Sequence, residues 1–134
     1  MALSKDRDTP TRAGTDFSDP AAANARIYAG GLVALNAAGD AVAASAVAAQ
    51  RTRGVAQAAV DNTGGAAGDK TVATRRGTYR FKNSAAGDLI ARADIGNACY
   101  VVDDETVAKT NGSGARPVAG TIRDVDAAGV WVEI

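Results

Sequence analysis

"KTVATRRGTYRFKN", residues 70–83, decides how the rest of this chain is read. β-branched and aromatic residues recur along it, and Gly, Asp and Asn clusters bound it, as in a strand. Between Thr74 and Ser84 it also packs four basic residues and two aromatics, a mixture seen in proteins that bind single-stranded nucleic acid. Side chains alternate faces along a strand. As one long strand, the stretch puts Ala73, Arg75, Gly77, Tyr79 and Phe81 on one face. Thr74, Arg76, Thr78, Arg80 and Lys82 take the other. A base-stacking platform needs aromatic and basic groups on the same exposed face. Here they separate, which points to a core strand with Tyr79 and Phe81 inward and a basic outer face. Arg75 falls on the aromatic side, and the sequence leaves open whether it is buried and paired. Gly77 marks a bend or the close approach of another backbone.

Working outward, the core available to such a strand is thin. The chain has 134 residues, the size of one domain. Alanine supplies 32 of them, and Leu, Ile, Val and Phe together only 24. At roughly 25 cal/mol per Å² of apolar surface, alanine burial stabilises little. Net charge is zero, so the chain lacks the charge excess of a disordered one and is expected to fold. A thin core implies that a partner surface contributes part of the stability.

The pattern elsewhere is also β. "GLVALN" (31–36) and "AVAAS" (41–45) flank "AAGD", and "RGVAQAAV" (53–60) runs into the glycine-rich "DNTGGAAGD". After residues 70–83 come "ACYVVDD" (98–104), "TVAKT" (106–110), "VAGTIRDV" (118–125) and "VWVEI" (130–134). "AAGD" recurs at 37–40, 66–69 and 85–88, and Gly with Asp is reusable turn chemistry. The expectation is an all-β fold, a small antiparallel β-barrel or sandwich of about seven or eight short strands. Helices remain open at 19–26, where Asp19 and Pro20 suit a helix start, and at the alanine-rich 42–51. "DLIARADIG" (88–96) suits one helical turn closed by Gly96. Residues 1–26 read as an extended polar N-terminal arm held by a partner or neighbouring copy, and 27–134 as the β-rich domain.

Much chemistry is excluded. There is no histidine and a single cysteine, Cys99. That removes Ser-His-Asp and Cys-His catalysis, His-ligated metals, cysteine-rich metal sites and an internal disulfide. "GGAAGDKT" lacks the spacing of a phosphate loop. "DDET" (103–106) lacks the alternating ligands and glycine of a calcium loop and reads as a solvated turn. No catalytic, cofactor-binding or metal-binding residues are assigned, and no membrane or nucleic-acid partner is expected. No apolar stretch suits a membrane span or a secretion signal, so the chain is expected to be made and used without Sec export.

Charge is segregated. Residues 51–92 carry eight basic and three acidic side chains, and residues 93–134 three basic and seven acidic. This suits either complementarity between copies or a surface of intrachain ion pairs.

The order of segments carries a resemblance. "IYAGGLVALNAAGDAV", "RTRGVAQAAVDNTGG", "ATRRGTYRFKNSA", "IGNACYVVDDETVA" and "VAGTIRDVDAAGVWVEI", over residues 27–134, resemble the tailed-phage capsid decoration, or structural cement, proteins. The resemblance implies a non-enzymatic β-rich virion protein on the outer surface of an HK97-type head, made in the host cytoplasm. It implies the major capsid protein and further copies of itself as partners, a homotrimer in preference to a homodimer. The expected contact residues are Lys5, Arg7, Arg12 and Phe17 in the arm and Arg76, Arg80 and Lys82 on the basic strand face. A β-barrel nucleic-acid-binding module is the alternative.

Overall fold

Short apolar runs separated by turns give twelve strands and no α-helix among residues 2–134, which the computed structural model describes. In chain order they are β1 (Asp16–Pro20), β2 (Arg26–Ile27), β3 (Leu32–Leu35), β4 (Ala41–Ala43), β5 (Arg51–Ala56) and β6 (Val60–Asp61). Then come β7 (Thr71–Arg75), β8 (Thr78–Phe81), β9 (Ala98–Val101), β10 (Val107–Ala108), β11 (Val118–Asp126) and β12 (Gly129–Glu133). One five-stranded sheet has the order β1-β7-β5-β3-β4 and a second β10-β9-β11-β12-β8, while β2 pairs with β6. All these pairings are antiparallel. The all-β expectation holds, with more and shorter strands than the seven or eight expected. No barrel is closed. A single bridge, Lys82 to Thr106, brings the edges of the second sheet together at one end.

Residues 70–83 are not one strand. β7 lies in the first sheet and β8 in the second, and the chain steps between them at Arg76–Gly77. The step shifts the parity. In β7 the even positions Val72 and Thr74 are buried, whereas in β8 the odd position Phe81 is buried and Tyr79 half-buried. Tyr79 and Phe81 therefore face inward as expected. Arg75 does not share their environment: it is exposed, and its guanidinium bonds the Asp16 carboxylate at 2.8 Å. Backbone bonds clamp the step on both sides. Arg76 N–H donates to the Thr15 carbonyl at 2.8 Å, and Ile134 N–H to the Gly77 carbonyl at 2.9 Å.

The arm is shorter than the sequence suggested. β1 joins the first sheet at Asp16, in register with β7, and Ala21, Ala22 and Ile27 are buried. The helix considered at 19–26 does not form, because Pro20 sits in an edge strand, where its missing N–H costs nothing. Residues 42–51 are also non-helical: they end β4, turn, and begin β5, with the Gln50 side chain bonding Ser45. Near 88–96 two 3-10 turns form, Ala86–Asp88 and Arg92–Asp94. Of the three "AAGD" segments, two are turns in which Gly39 and Gly68 take φ of +88° and +85°. The third, at 85–88, is the first of the 3-10 turns.

Within the first sheet β3 is buried on both faces, as its uninterrupted apolar run requires, whereas β7 alternates buried and exposed positions. Leu32 and Ala34 join Val55 in a core shared with Phe81, Val101, Ile122, Val130 and Val132 of the second sheet. Val33, between them, faces a smaller cluster with Ile27, Ala56 and Val72. The β2–β6 layer over that cluster is pinned by Asn62, which is buried and donates to the carbonyls of Ala22 (2.9 Å) and Ala66 (3.0 Å). Eight of the 21 buried apolar residues are alanines, so backbones approach closely. At Gly120 a side chain would land on the Glu133 carbonyl oxygen of β12.

Two stability outcomes follow from this packing. The Thr74 hydroxyl is buried and has no hydrogen-bond partner. An unpaired buried hydroxyl costs about 1–3 kcal/mol, so Thr74→Val is expected to stabilise the protein by about 1 kcal/mol in urea unfolding. A destabilised variant would show that the hydroxyl is satisfied. Gly120→Ala must displace the backbone of β12 and is expected to cost about 1–3 kcal/mol in the same measurement. An unchanged midpoint would contradict the close approach.

Candidate interaction surface

The exposed N-terminal stretch grows from a tightly built root. Residues 2–15 are exposed throughout and pair with no strand, as expected of a polar sequence with few apolar side chains. Lys5, Arg7 and Arg12 lie there. The chain is then fastened within a few residues. Thr15 accepts the Arg76 N–H, Asp16 bonds Arg75, and the Phe17 ring lies under the Arg53 guanidinium, 3.8 Å from its centroid. Arg12 approaches the same ring at 5.5 Å. Arg53 forks onto both carboxylate oxygens of Asp19 at 2.8 and 3.0 Å. With side chains only 24% and 12% exposed, this is the least solvent-screened fork of the surface. The hydrogen bond from Arg75 holds the Asp16 carboxyl below the usual carboxylate range.

Arg76, at the β7–β8 step, opens onto a groove of about 590 Å³ between the start of β5 and strands β11 and β12. Arg51 and Arg123 line it with Arg76, as do Glu133, Val118 and Ile134. Arg123 is paired with Glu133. Arg51 and Arg76 have no acidic side-chain partner among the described residues, and Arg76 Nε donates to the Ile134 backbone oxygen at 3.4 Å.

The rest of the expected basic face is taken up inside the molecule. Lys82 pairs with Glu105 at 2.8 Å, which raises the lysine pKa. Arg80 lies 5.7 Å from the centroid of the Trp131 ring. The Trp131 indole N–H donates to Asp126 at 2.9 Å. Thus Arg12 and Phe17 come together, Arg76 stands beside the root, and Arg80 and Lys82 lie toward the other end of β8. Of the eight ion pairs among the described residues, Lys82–Glu105 and Arg92–Asp124 join the basic block to the acidic one, whereas Arg53 and Arg75 pair with Asp19 and Asp16 of β1, outside both blocks. Arg51, Arg53 and Arg123 were not singled out in the sequence. The i, i+2 spacing of Arg51 and Arg53 on β5 was the available signal, and Arg123 gave none.

Residues 103–106 form the expected turn, with the Val102 N–H on the Thr106 carbonyl and the Glu105 N–H on the Asp103 carboxylate. Among the described residues, no three His, Cys, Asp or Glu side chains converge as metal ligands, and no helix is long and apolar enough to cross a membrane. Cys99 is buried, and burial pushes its thiol up to about 12. It is a core residue, not a nucleophile.

Trp131 reports on the acid end of the surface electrostatics. The Trp131 indole bond, then backbone N–H groups of Ala128 and Gly129, hold the Asp126 carboxyl below its ordinary value. Asp61 and Asp88 are lowered too, chiefly by Thr63 and Thr110. A carboxylate with a depressed folded pKa stabilises above its unfolded value, near 4, and that contribution is lost as pH falls through the folded pKa. Emission from Trp131, the single tryptophan, is therefore expected to change with a midpoint below about 4, and Asp126→Asn to remove the transition. A midpoint at or above the ordinary aspartate value would contradict the indole–carboxylate bond.

Comparison with protein-family models, with curated proteins and with solved structures gave no match to this chain.

Proposed function

We propose that this chain is a decoration protein of a tailed phage, which binds the outside of an assembled HK97-type shell and clamps neighbouring capsid subunits. The observation that carries this reading is the contrast at the root. Fourteen exposed residues, 2–15, spring from a strand fixed by ion pairs, a cation–π contact and sheet bonds. An extended chain covers at most about 3.3–3.6 Å per residue, so this stretch spans up to roughly 50 Å. That is far enough to cross onto an adjacent subunit. The order of motifs over residues 27–134 supports the same reading.

The partners are the major capsid protein and the chain itself, as a homotrimer in preference to a homodimer, and the site of action is the outer face of the head. No catalytic step is assigned. Lys5 and Arg7 make the contacts at a distance, with Arg12 and Arg76 beside the root. Ordering the stretch costs conformational entropy, so each contact is weak. The shell lattice presents many sites at once and supplies avidity. Phe17, Tyr28 and Trp131 each have an arginine of the same chain over the ring. That leaves fewer free faces for stacking bases and weighs against the nucleic-acid alternative.

The test is co-sedimentation with purified, undecorated shells, comparing the full chain with one lacking residues 2–14. The deletion stops short of Thr15, so the root and β1 remain. At least about a tenfold loss of occupancy is expected, with unchanged circular dichroism. Failure of the full chain to bind any shell would sink the reading, and full binding by the truncated form would remove the arm from it.

A further inference from the structure

The intrachain ion pairs leave two charged patches, and they are complementary. In the groove, three guanidiniums (Arg51, Arg76 and Arg123) face one carboxylate, Glu133. At the β9–β10 turn, three carboxylates (Asp103, Asp104 and Glu105) face one ammonium, Lys82. The patches sit toward opposite ends of β8. Ile134 of the groove bonds Gly77, just before that strand, and Glu105 of the turn bonds Lys82, just after it. No ion pair joins turn to groove within one molecule.

We propose that the acidic turn of one copy docks into the arginine groove of a second copy. The turn is held firmly against β3 and β8, its Asp104 and Glu105 carbonyls accepting the Leu32 and Lys82 N–H groups at 2.8 Å. Asp103 is exposed, and its carboxylate stiffens the backbone by accepting the Glu105 N–H at 2.9 Å. Burial first, and then the neighbouring Asp103 charge, hold the Asp104 carboxyl above its ordinary value. A cation brought close relieves that crowding. The groove offers Arg51, which has no acidic side-chain partner, and Arg76, whose Nε donates to the Ile134 backbone oxygen at 3.4 Å and which has no acidic side-chain partner either. Val118, 52% exposed on its wall, adds an apolar surface that the fold leaves uncovered.

Turn and groove are different surfaces, so a one-way contact is heterologous and closes a ring or runs on as a filament, while a reciprocal contact makes an isologous pair. Its area is small, so it is weak and sensitive to salt. Only copies of this chain are needed, so its success or failure is separate from capsid binding.

Sedimentation velocity of the full chain at low and high ionic strength tests it. Self-association is expected at low salt and dissociation at high salt. R51E/R76E and D103K/E105K are each expected to weaken association at least about tenfold. Mixed in equal amounts, they are expected to associate again, because each reversed patch then meets its complement. Circular dichroism checks that both variants fold, and their exposed positions leave the core untouched. A chain that stays monomeric at low salt overturns the proposal. So does association that survives both reversals, or a mixture that fails to restore it.

Discussion

The two-residue step at Arg76–Gly77 is the constraint on which the rest of the structure depends. Among the described residues it is the only stretch where the chain passes directly from a strand of the first five-stranded sheet to a strand of the second. It is held from both sides, by the root at Thr15 and by the end of β12 at Ile134. Moving the step by one residue would invert the parity of β7 or β8. Thr74 and Val72 would then turn out of one core, or Phe81 and Tyr79 out of the other. A glycine suits a place where two sheets draw the chain in different directions.

The alanine-rich composition makes that coupling matter more. Each fully buried Val, Leu or Ile contributes about 1.5–3 kcal/mol, and alanine much less. With eight alanines among its buried apolar residues, the protein relies on close backbone approach. Gly54 lies against the Arg75 carbonyl and Gly120 against Glu133, and such contacts are intolerant of added atoms. The unpaired Thr74 hydroxyl lies in this crowded region: a side chain at Gly54 would meet the Thr74 Cβ at 3.3 Å. Tight packing there leaves the hydroxyl no polar neighbour.

What the sequence disclosed depended on the range of the interactions involved. Strands with local turn chemistry were legible: β3 and β4 around "AAGD", and β11 and β12 around "DAAG". The inward faces of Tyr79 and Phe81 were legible from strand parity. The break at Arg76 was not, because both halves of residues 70–83 have strand composition and only long-range pairing separates them. β1 was missed for a related reason. "DFSDP" has little β propensity, and it becomes a strand because β7 offers an edge and because Arg53 and Arg75 meet Asp19 and Asp16 across more than thirty residues of sequence. The basic face of Arg76, Arg80 and Lys82 was read on correct exposure but without partners. Glu105 and Trp131 are distant in sequence, and only folding brings them near.

Folding also changes what the charge pattern means. A neutral chain with a basic middle and an acidic end looks like a molecule awaiting oppositely charged partners. Once folded, about half of those charges are ion-paired, several of them with β1 or within their own block, and exposed pairs of this kind contribute little stability each, about 0–1 kcal/mol. They act on specificity instead. Each pair removes one charge of either sign from the field that an approaching molecule meets, so the proposed docking rests on the charges that stay unpaired. The exposed stretch at residues 2–15 has a different role: it carries both signs, at Lys5, Asp6, Arg7 and Asp8. In the proposed role such a segment depends less on net attraction than on reach and on a well-bonded root. Arg53, forked onto Asp19 and stacked on Phe17, serves that root in both ways. It fixes the direction in which the stretch leaves the sheet, and it links that direction to β5, in the first sheet shared by both cores.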